Sequence, residues 1–357
     1  MAPQGCLFSY RCAWSHGTDM KRPPHACDPP LWARGAHIQT LLGHFLPSEA
    51  VELPWEHLNL KLADVDALRV LLSRGTSTVV IHLFHGLGGS AEADYMGRAS
   101  TLFASQGHTI LAINHRGSGE GRGLAARPYH MGSTPDMAAM LQVGRSLFPQ
   151  HTHVAIGFSL SATVLLLLLG RDASMDFAQP DLAIAVNPTV DLEKASLRLG
   201  RGFSRAYDLR FVTLLRKHLR DLWEFGLLKQ LIPIPRLATL REFDELYTAK
   251  AAGFRDRSDY YAQCACVPYL RTIQTPTVIL TSADDPIAPA ADLDGAELSP
   301  AVHLHVEATG GHMGYLGRGV PGLRWLDYAL DHYLRELLNA VQAQPGSNLW
   351  TTTNLQT

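Results

Sequence analysis

Residues 153–170 read HVAIGFSLSATVLLLLLG, an apolar run, a turn of small residues and a second apolar run with no charge in the last seventeen positions. A strand covered on both faces reads as a continuous apolar run, and a helix that is apolar all round has to be interior. A strand–turn–helix unit without a polar face needs neighbours on every side. The chain must therefore build a layered structure around it. The stretch VLLLLL at 164–169 is far short of the roughly 20 apolar residues that cross a bilayer, so it reads as a core helix stopping at Gly170.

The same alternation continues in both directions. Residues 64–74 alternate apolar and polar through Leu68, Val70 and Leu72, as a half-buried strand does. Residues 78–84 form a more continuous strand that runs into the turn signal HGLGGS. A helix is predicted over 94–106, a buried strand over 108–114, and a glycine-rich loop at 116–123. Thr134, Pro135 and Asp136 provide an N-cap, a proline in the first turn and an acid beside it, opening a helix to about Phe148. A strand at 181–187 follows the core helix, and strands return at 276–282 and 302–308. An amphipathic helix closes the pattern at 322–343, with Leu323, Leu326, Leu330, Tyr333 and Leu337 on one face. Between 188 and 270 the alternation lapses into a stretch rich in Arg, Leu and aromatics that reads as helical, with LLKQLIPIPRL in its middle. The expected architecture is an α/β fold, a mostly parallel twisted sheet with helices on both faces. Residues 29–187 and 271–344 supply its two parts, and 188–270 an inserted helical cap.

The 357 residues, 46% hydrophobic and 18% charged, suffice for one large domain with an insertion. A formal net charge of −2 without a polybasic run argues against nucleic acid and anionic lipid as partners. The first residues lack the apolar core of a secretory signal, so a cytoplasmic location is expected, without a transmembrane segment. Residues 1–28 are expected to form a disordered leader, with Met20 an alternative start, and 345–357 a disordered tail. Five cysteines do not describe a disulfide framework in a chain this long. Cys6, Cys12, His16, His25 and Cys27 match no standard metal-ligand spacing, so no metal and no organic cofactor is expected.

The chemistry concentrates at strand ends. Gly157-Phe158-Ser159-Leu160-Ser161 is one residue from G-x-S-x-G, the elbow that presents a nucleophilic serine between a strand and a helix. Taken alone, it could equally be a small-residue βα turn. After the strand at 276–282 come Asp284 and Asp285; after the next strand comes His312, between glycines. Either aspartate could instead cap the following turn, and His312 is one of 17 histidines. Their joint placement at the ends of successive strands, in the order Ser–Asp–His, is that of an α/β-hydrolase. The N–H groups of Leu160 and Leu87 are then the candidate oxyanion donors, with His85, Gly86, Gly88 and Gly89 lining the site. Neither the 85–90 loop nor the 116–123 loop carries a phosphate-binding fingerprint; the latter reads as site-lining.

The chain resembles the YheT-like branch of the α/β-hydrolases, related to eukaryotic abhydrolase-domain lipases and phospholipases. The resemblance spans about 29–340 and rests on PPLWARGAHIQT, HGLGGSAEADYMGR, NHRGSGEG, YHMGSTPDM, GFSLSA, REFDELYTAKAAGFRDRSDYY, ADDPIAP and GGHMGYLG. It implies a serine esterase acting on small ester substrates through Ser159, Asp285 and His312, with Asp285 rather than Asp284 at the family's D-P-x-x-P position. Short or medium acyl esters, or lipid-like esters, are the implied substrates, with transient contact at a membrane surface open and oligomeric state unspecified. Acyl transfer to an alcohol by the same groups, and a non-catalytic binding protein on the same fold, are the alternatives. Two departures stand out: Gly35-Ala36-His37-Ile38-Gln39-Thr40 in place of N-P-H-L-Q-T, and Ser161 in place of the elbow's second glycine. A serine adds little bulk there and is expected to be tolerated, its hydroxyl bonding to nearby backbone.

Overall fold

The computed structural model describes residues 20–46 and 51–342. Eight strands form one sheet: β1 (Glu56–Lys61), β2 (Ala67–Ser73), β3 (Val79–Phe84), β4 (Thr109–Asn114), β5 (Thr152–Phe158), β6 (Leu182–Val186), β7 (Thr277–Ser282) and β8 (Val302–Glu307). Their order is β1-β2-β4-β3-β5-β6-β7-β8. β1–β2 and β2–β4 pair antiparallel; every later pair is parallel. β3 to β7 are the continuous apolar runs of the sequence, and every residue but Thr152 in them is buried. The reversal in strand order beside β3 brings the loops after β3, β4 and β5 to one sheet edge, where open α/β sheets place their sites.

The helices lie on both faces: α1 (Ala36–Phe45), α2 (Asp94–Ser105), α3 (Thr134–Leu147), α4 (Leu160–Gly170), then α5 (Leu192–Leu199), α6 (Arg205–Glu224), α7 (Leu240–Phe243), α8 (Ala249–Ala251) and α9 (Arg257–Gln263), and finally α10 (Trp325–Gln342). All eleven residues of α4 are buried. Its outer side is covered by α3 and by the turn Val267–Thr272, where Gly170 lies so close to Tyr269 that a Cβ would meet its carbonyl oxygen at 2.5 Å. That contact explains why the apolar run ends on glycine. α10 buries Trp325, Leu326, Leu330, Tyr333, Leu334 and Leu337 against the other face of the sheet, with α2 beside it. Among the described residues no helix is long and apolar enough to cross a membrane.

Four details depart from the sequence reading. β1 and α1 were not expected: β1 is a half-exposed edge strand, and α1 buries Gln39 and Gly43 while exposing Ile38 and Phe45, inverting ordinary amphipathicity. LLKQLIPIPRL is not helical; Pro233 and Pro235 keep it extended between α6 and α7. In α3 the N-cap position is Ser133 rather than Thr134, without a capping hydrogen bond from its side chain, and Asp136 turns to Arg116, at 2.6 and 2.7 Å, rather than to the helix end. Finally, a disordered leader was expected over 1–28, but its described part, 20–28, is packed. Residues 20–28 lie against the sheet and α10: Met20 is buried, Trp325 Nε1 donates to His25 O at 2.7 Å, and Cys27 N donates to Glu307 Oε2 at 3.1 Å. The expected segments 1–19 and 345–357 lie outside the described residues, as do Cys6, Cys12 and His16.

Candidate active site

β5 ends at Phe158 and α4 begins at Leu160, so Ser159 must carry the entire change of direction. It does so at φ 55°, ψ −118°, a conformation that an L-residue holds at a cost of about 1–3 kcal/mol. The neighbours allow it. A Cβ at Gly157 would meet Ser161 O at 2.7 Å, and one at Gly86 would approach Ser159 Cβ at 3.0 Å. Gly157, before the turn, and Gly86, on the loop after β3, thus make room for the half-buried Ser159 and its Oγ.

Ser159 Oγ lies 2.8 Å from His312 Nε2, and His312 Nδ1 lies 2.8 Å from Asp285 Oδ2. With the carboxylate at Nδ1, that nitrogen carries the proton, and Nε2 is left to accept from the serine. The His312 loop follows β8; Gly311, at φ +56°, makes its turn, and Thr40 Oγ1 of α1 accepts from His312 N at 2.9 Å. The Asp285 loop follows β7. Its carboxylate accepts from Ile287 N at 2.7 Å, Ala288 N at 2.9 Å and Asn187 Nδ2 at 2.7 Å. Burial opposes ionisation of Asp285, but His312 and these backbone N–H groups together hold its carboxyl below the usual carboxylate range. Asp284 points elsewhere, accepting from Gly311 N at 2.9 Å. Of the two aspartates, only Asp285 reaches the imidazole.

The loop after β3 passes directly over the serine. Gly86 N donates to Tyr95 Oη at 2.9 Å, and Gly89 N turns back to Gly86 O at 3.1 Å. Among the described residues neither Leu87 N nor Leu160 N is taken by a hydrogen bond, which leaves both as donors at the elbow. A cleft of about 420 Å³ opens from Ser159 and His312, walled by Leu41, Phe45, Leu87, Phe158, Phe211 and Leu214. Gly86, Gly88 and Gly89 line it, and Gly119 and Arg122 bring the 116–123 loop to its rim. His85 does not line it. The ring is fully buried beneath the loop, edge-on to His115, and burial pushes its pKa down to about 4. A larger cavity, about 850 Å³ between α3 and the Arg127–Gly132 loop, contains none of these groups.

Sequence reasoning assigned no role to Asn187, Thr40 or Tyr95. Thr40 and Tyr95 stand inside PPLWARGAHIQT and HGLGGSAEADYMGR, segments that carry the family resemblance, and Asn187 is the polar residue closing the apolar strand DLAIAVN. The expectation for Ser161 is also corrected. Its hydroxyl does not bond to nearby backbone; it donates across the site to His85 O and contacts His115 Nε2 at 2.9 Å and Tyr129 Oη at 2.7 Å.

A sheet with this order and a serine elbow at the end of its fifth strand define an α/β-hydrolase architecture, and the comparisons with known proteins agree. The family model described as alpha/beta hydrolase fold matches residues 79–318, and the chain belongs to that family. It is 29% identical over 315 residues to YheT of Escherichia coli (strain K12), provisionally named an esterase, covering 85% of this chain and 91% of YheT. It is 26% identical over 310 residues to the phospholipase ABHD3 of Mus musculus, covering 85% of this chain and 72% of that protein. The Pyrococcus furiosus esterase Pf2001 shares the fold with a TM-score of 0.54 at 15% identity, over 92% of this chain and 100% of that one.

Proposed function

We propose that the chain is a serine-dependent carboxylic ester hydrolase in which Ser159 is the nucleophile, His312 the general base and acid, and Asp285 the group that orients His312. The observation that carries the reading is the unbroken line from Ser159 Oγ through both nitrogens of His312 to Asp285, at 2.8 Å for each contact. A serine hydroxyl is a weak nucleophile without such a base. Ser159 Oγ attacks the ester carbonyl carbon and its proton passes to His312 Nε2. The imidazolium so formed is stabilised by the buried Asp285 carboxylate. The carbonyl oxygen, now negative, is received by the N–H groups of Leu160 and Leu87. Collapse breaks the C–O bond to the alcohol, which leaves with the proton from His312. Water then repeats the sequence on the acyl-serine, releasing the acid and restoring Ser159.

The cleft walls favour an apolar acyl group, of short or medium length or lipid-like. The inserted helices supply part of that wall through Tyr207, Phe211 and Leu214 of α6, which is the work of a cap. The names of relatives, an esterase and a phospholipase among them, support ester hydrolysis as the reaction class. The test is labelling with a fluorophosphonate probe and hydrolysis of p-nitrophenyl esters by the native chain, Ser159→Ala and His312→Ala. Labelling and turnover are expected of the native chain and of neither variant. A native chain that takes up no probe overturns the reading; a labelled Ser159→Ala overturns the choice of serine.

A further inference from the structure

Ser161 stands where the elbow ordinarily has a second glycine. It is fully buried, two residues past the nucleophile, in the first turn of α4. A hydroxyl offers one donor and two acceptor sites. Here the donor goes to the carbonyl of His85, and the two acceptor sites face Tyr129 Oη at 2.7 Å and His115 Nε2 at 2.9 Å. These partners come from three segments that close the same end of the sheet: the loop after β3, the residue after β4, and the stretch before α3. The last two are stacked on each other, with His115 and Tyr129 ring centres 3.7 Å apart and planes within 6°.

His85 is the residue that turns β3 into the loop bearing Leu87. Its carbonyl is held by Ser161. Its ring is held as well: Nε2 accepts from His115 N at 3.2 Å, which leaves Nδ1 protonated to donate to Gly86 O at 2.8 Å. With Gly86 N given to Tyr95, the peptide groups on both sides of Gly86 are anchored from below, and the next N–H is that of Leu87.

We infer that Ser161 is a positioning residue for the oxyanion site: its hydroxyl locks the His85 carbonyl, and with it the Leu87 N–H, at a fixed height above Ser159. The inference rests on the hydrolase reading above. It makes a glycine at 161 harmful in this chain, because His85 O, Tyr129 Oη and His115 Nε2 would all lose the same partner in a water-excluded place. Since the effect passes through the Leu87 N–H, it belongs to the charge that develops on the substrate oxygen rather than to substrate binding.

The experiment compares the native chain with Ser161→Gly and Ser161→Ala. It reads kcat and KM on a p-nitrophenyl ester, the inhibition constant of a trifluoromethyl ketone that adds to Ser159 as a tetrahedral oxyanion, and fluorophosphonate labelling. Expected is a fall of about tenfold or more in kcat with KM within about twofold, and a parallel weakening of the ketone. Complete removal of an oxyanion donor costs about 10²–10³ in kcat, and displacement costs less. A destabilised but otherwise normal protein would not show that parallel. If both variants keep native kcat and native ketone affinity, the inference is wrong. If neither folds, Tyr129→Phe decides. It leaves the His85–Ser161 bond in place but frees one side of the hydroxyl, so a parallel drop of about two- to fivefold supports the role and no change overturns it. A native chain that takes up no fluorophosphonate overturns the hydrolase reading and this inference together.

Discussion

The parallel sheet from β3 to β7 and the helical insertion from α5 to α9 hold their residues in different ways. The sheet is nearly free of charge at its centre and fixes the site through backbone: strand ends, a strained elbow, and N–H groups aimed at Asp285. The insertion has its own small core of Val212, Leu219, Leu222, Ile234, Ala238, Phe243 and Tyr247. Leu192 of α5, Ala249 of α8 and Tyr260 and Tyr261 of α9 also join the core on one face of the sheet, and charged and polar side chains add further ties. Arg198 of α5 donates to Ile287 O at 2.6 Å and clasps Asp292 at 2.8 and 3.2 Å, immediately beyond the loop that holds the Asp285 carboxylate. Leu214 of α6 presses on Gly88, where a Cβ would meet its Cδ1 at 2.7 Å. In the proposed hydrolase the sheet would set the chemistry, and the insertion what reaches it. The insertion also touches the loop after β7 through Ser204 Oγ, which donates to Pro286 O at 3.3 Å, and through Leu199 and Tyr207, packed with Ile287.

The contrast is broken most severely by removing a sheet-borne group. Ser159→Ala is expected to lower kcat by about 10⁴-fold or more while leaving the melting temperature within a few degrees. Kinetics together with a thermal melt check it, and residual turnover above a hundredth of native would place the nucleophile elsewhere. Asp285→Asn should cost about 10³–10⁴ in kcat, because an amide cannot hold His312 in the required tautomer. Asp284→Asn, which still accepts from Gly311 N, should cost less than about fivefold. Equal losses for the two would undo the assignment of Asp285.

Substitutions in the insertion should act more gently and differently. Arg198→Ala removes charge-assisted bonds worth about 1.5–3 kcal/mol each where desolvated. The Arg198 side chain is 30% exposed, so the loss will lie at or below the low end of that range. We expect kcat to fall about tenfold with KM little changed, a signature of the acid loop. A pure KM effect would mean that the insertion shapes only the cleft. Leu214→Ala should leave kcat on short esters within about threefold and shift chain-length preference, with kcat/KM changing by about 10-fold between short and longer acyl groups. Assays across a p-nitrophenyl ester series decide that.

The smallest and most general effect is on pH stability. His82 Nε2 meets His153 Nδ1 at 2.9 Å inside the sheet, and His153 Nε2 donates to Phe148 O at 3.0 Å. Burial holds both rings neutral, with His153 brought down to about 4. An unfolded chain takes up protons on these rings near the ordinary histidine value of about 6.5. It therefore binds more protons than the folded one between those limits, and stability rises with pH there. Their contribution is complete above about pH 6.5 and is lost as pH falls toward about 4. The melting temperature should drop across that window, and His153→Gln should flatten the slope. A slope unchanged in that variant would shift the cause to other groups.

Much of the sheet and of the candidate site is legible in the sequence. Five buried strands announce themselves because a strand covered on both faces is apolar along most of its run and carries no Asp, Glu, Lys or Arg. α4 does so because nothing else explains an uncharged helix. Ser159, Asp285 and His312 could be picked out because each follows a strand and because strand ends share one edge of such a sheet; choosing Asp285 over Asp284 needed the family resemblance. β1 and α1 gave no such signal, one being an edge strand and the other a helix with its apolar residues outward. The mixed polarity of the insertion disclosed helices but concealed the extended stretch through Pro233 and Pro235.

The sequence by itself determined the layers, the chain order of Ser159, Asp285 and His312 and the turn at Ser159, because these depend on local periodicity and on residues that are neighbours along the chain. Tertiary structure alone decided what surrounds them. It placed Asn187 on Asp285 and Thr40 on the backbone of His312, brought Cys27 to Glu307 across the sheet edge, and gave Ser161 three partners from segments 32 to 76 positions away. A hydroxyl in a sequence carries no mark of the carbonyl it will meet. That pairing exists only once the strands have set their loops side by side in a place from which water is excluded, where each polar group must find its partner within the fold.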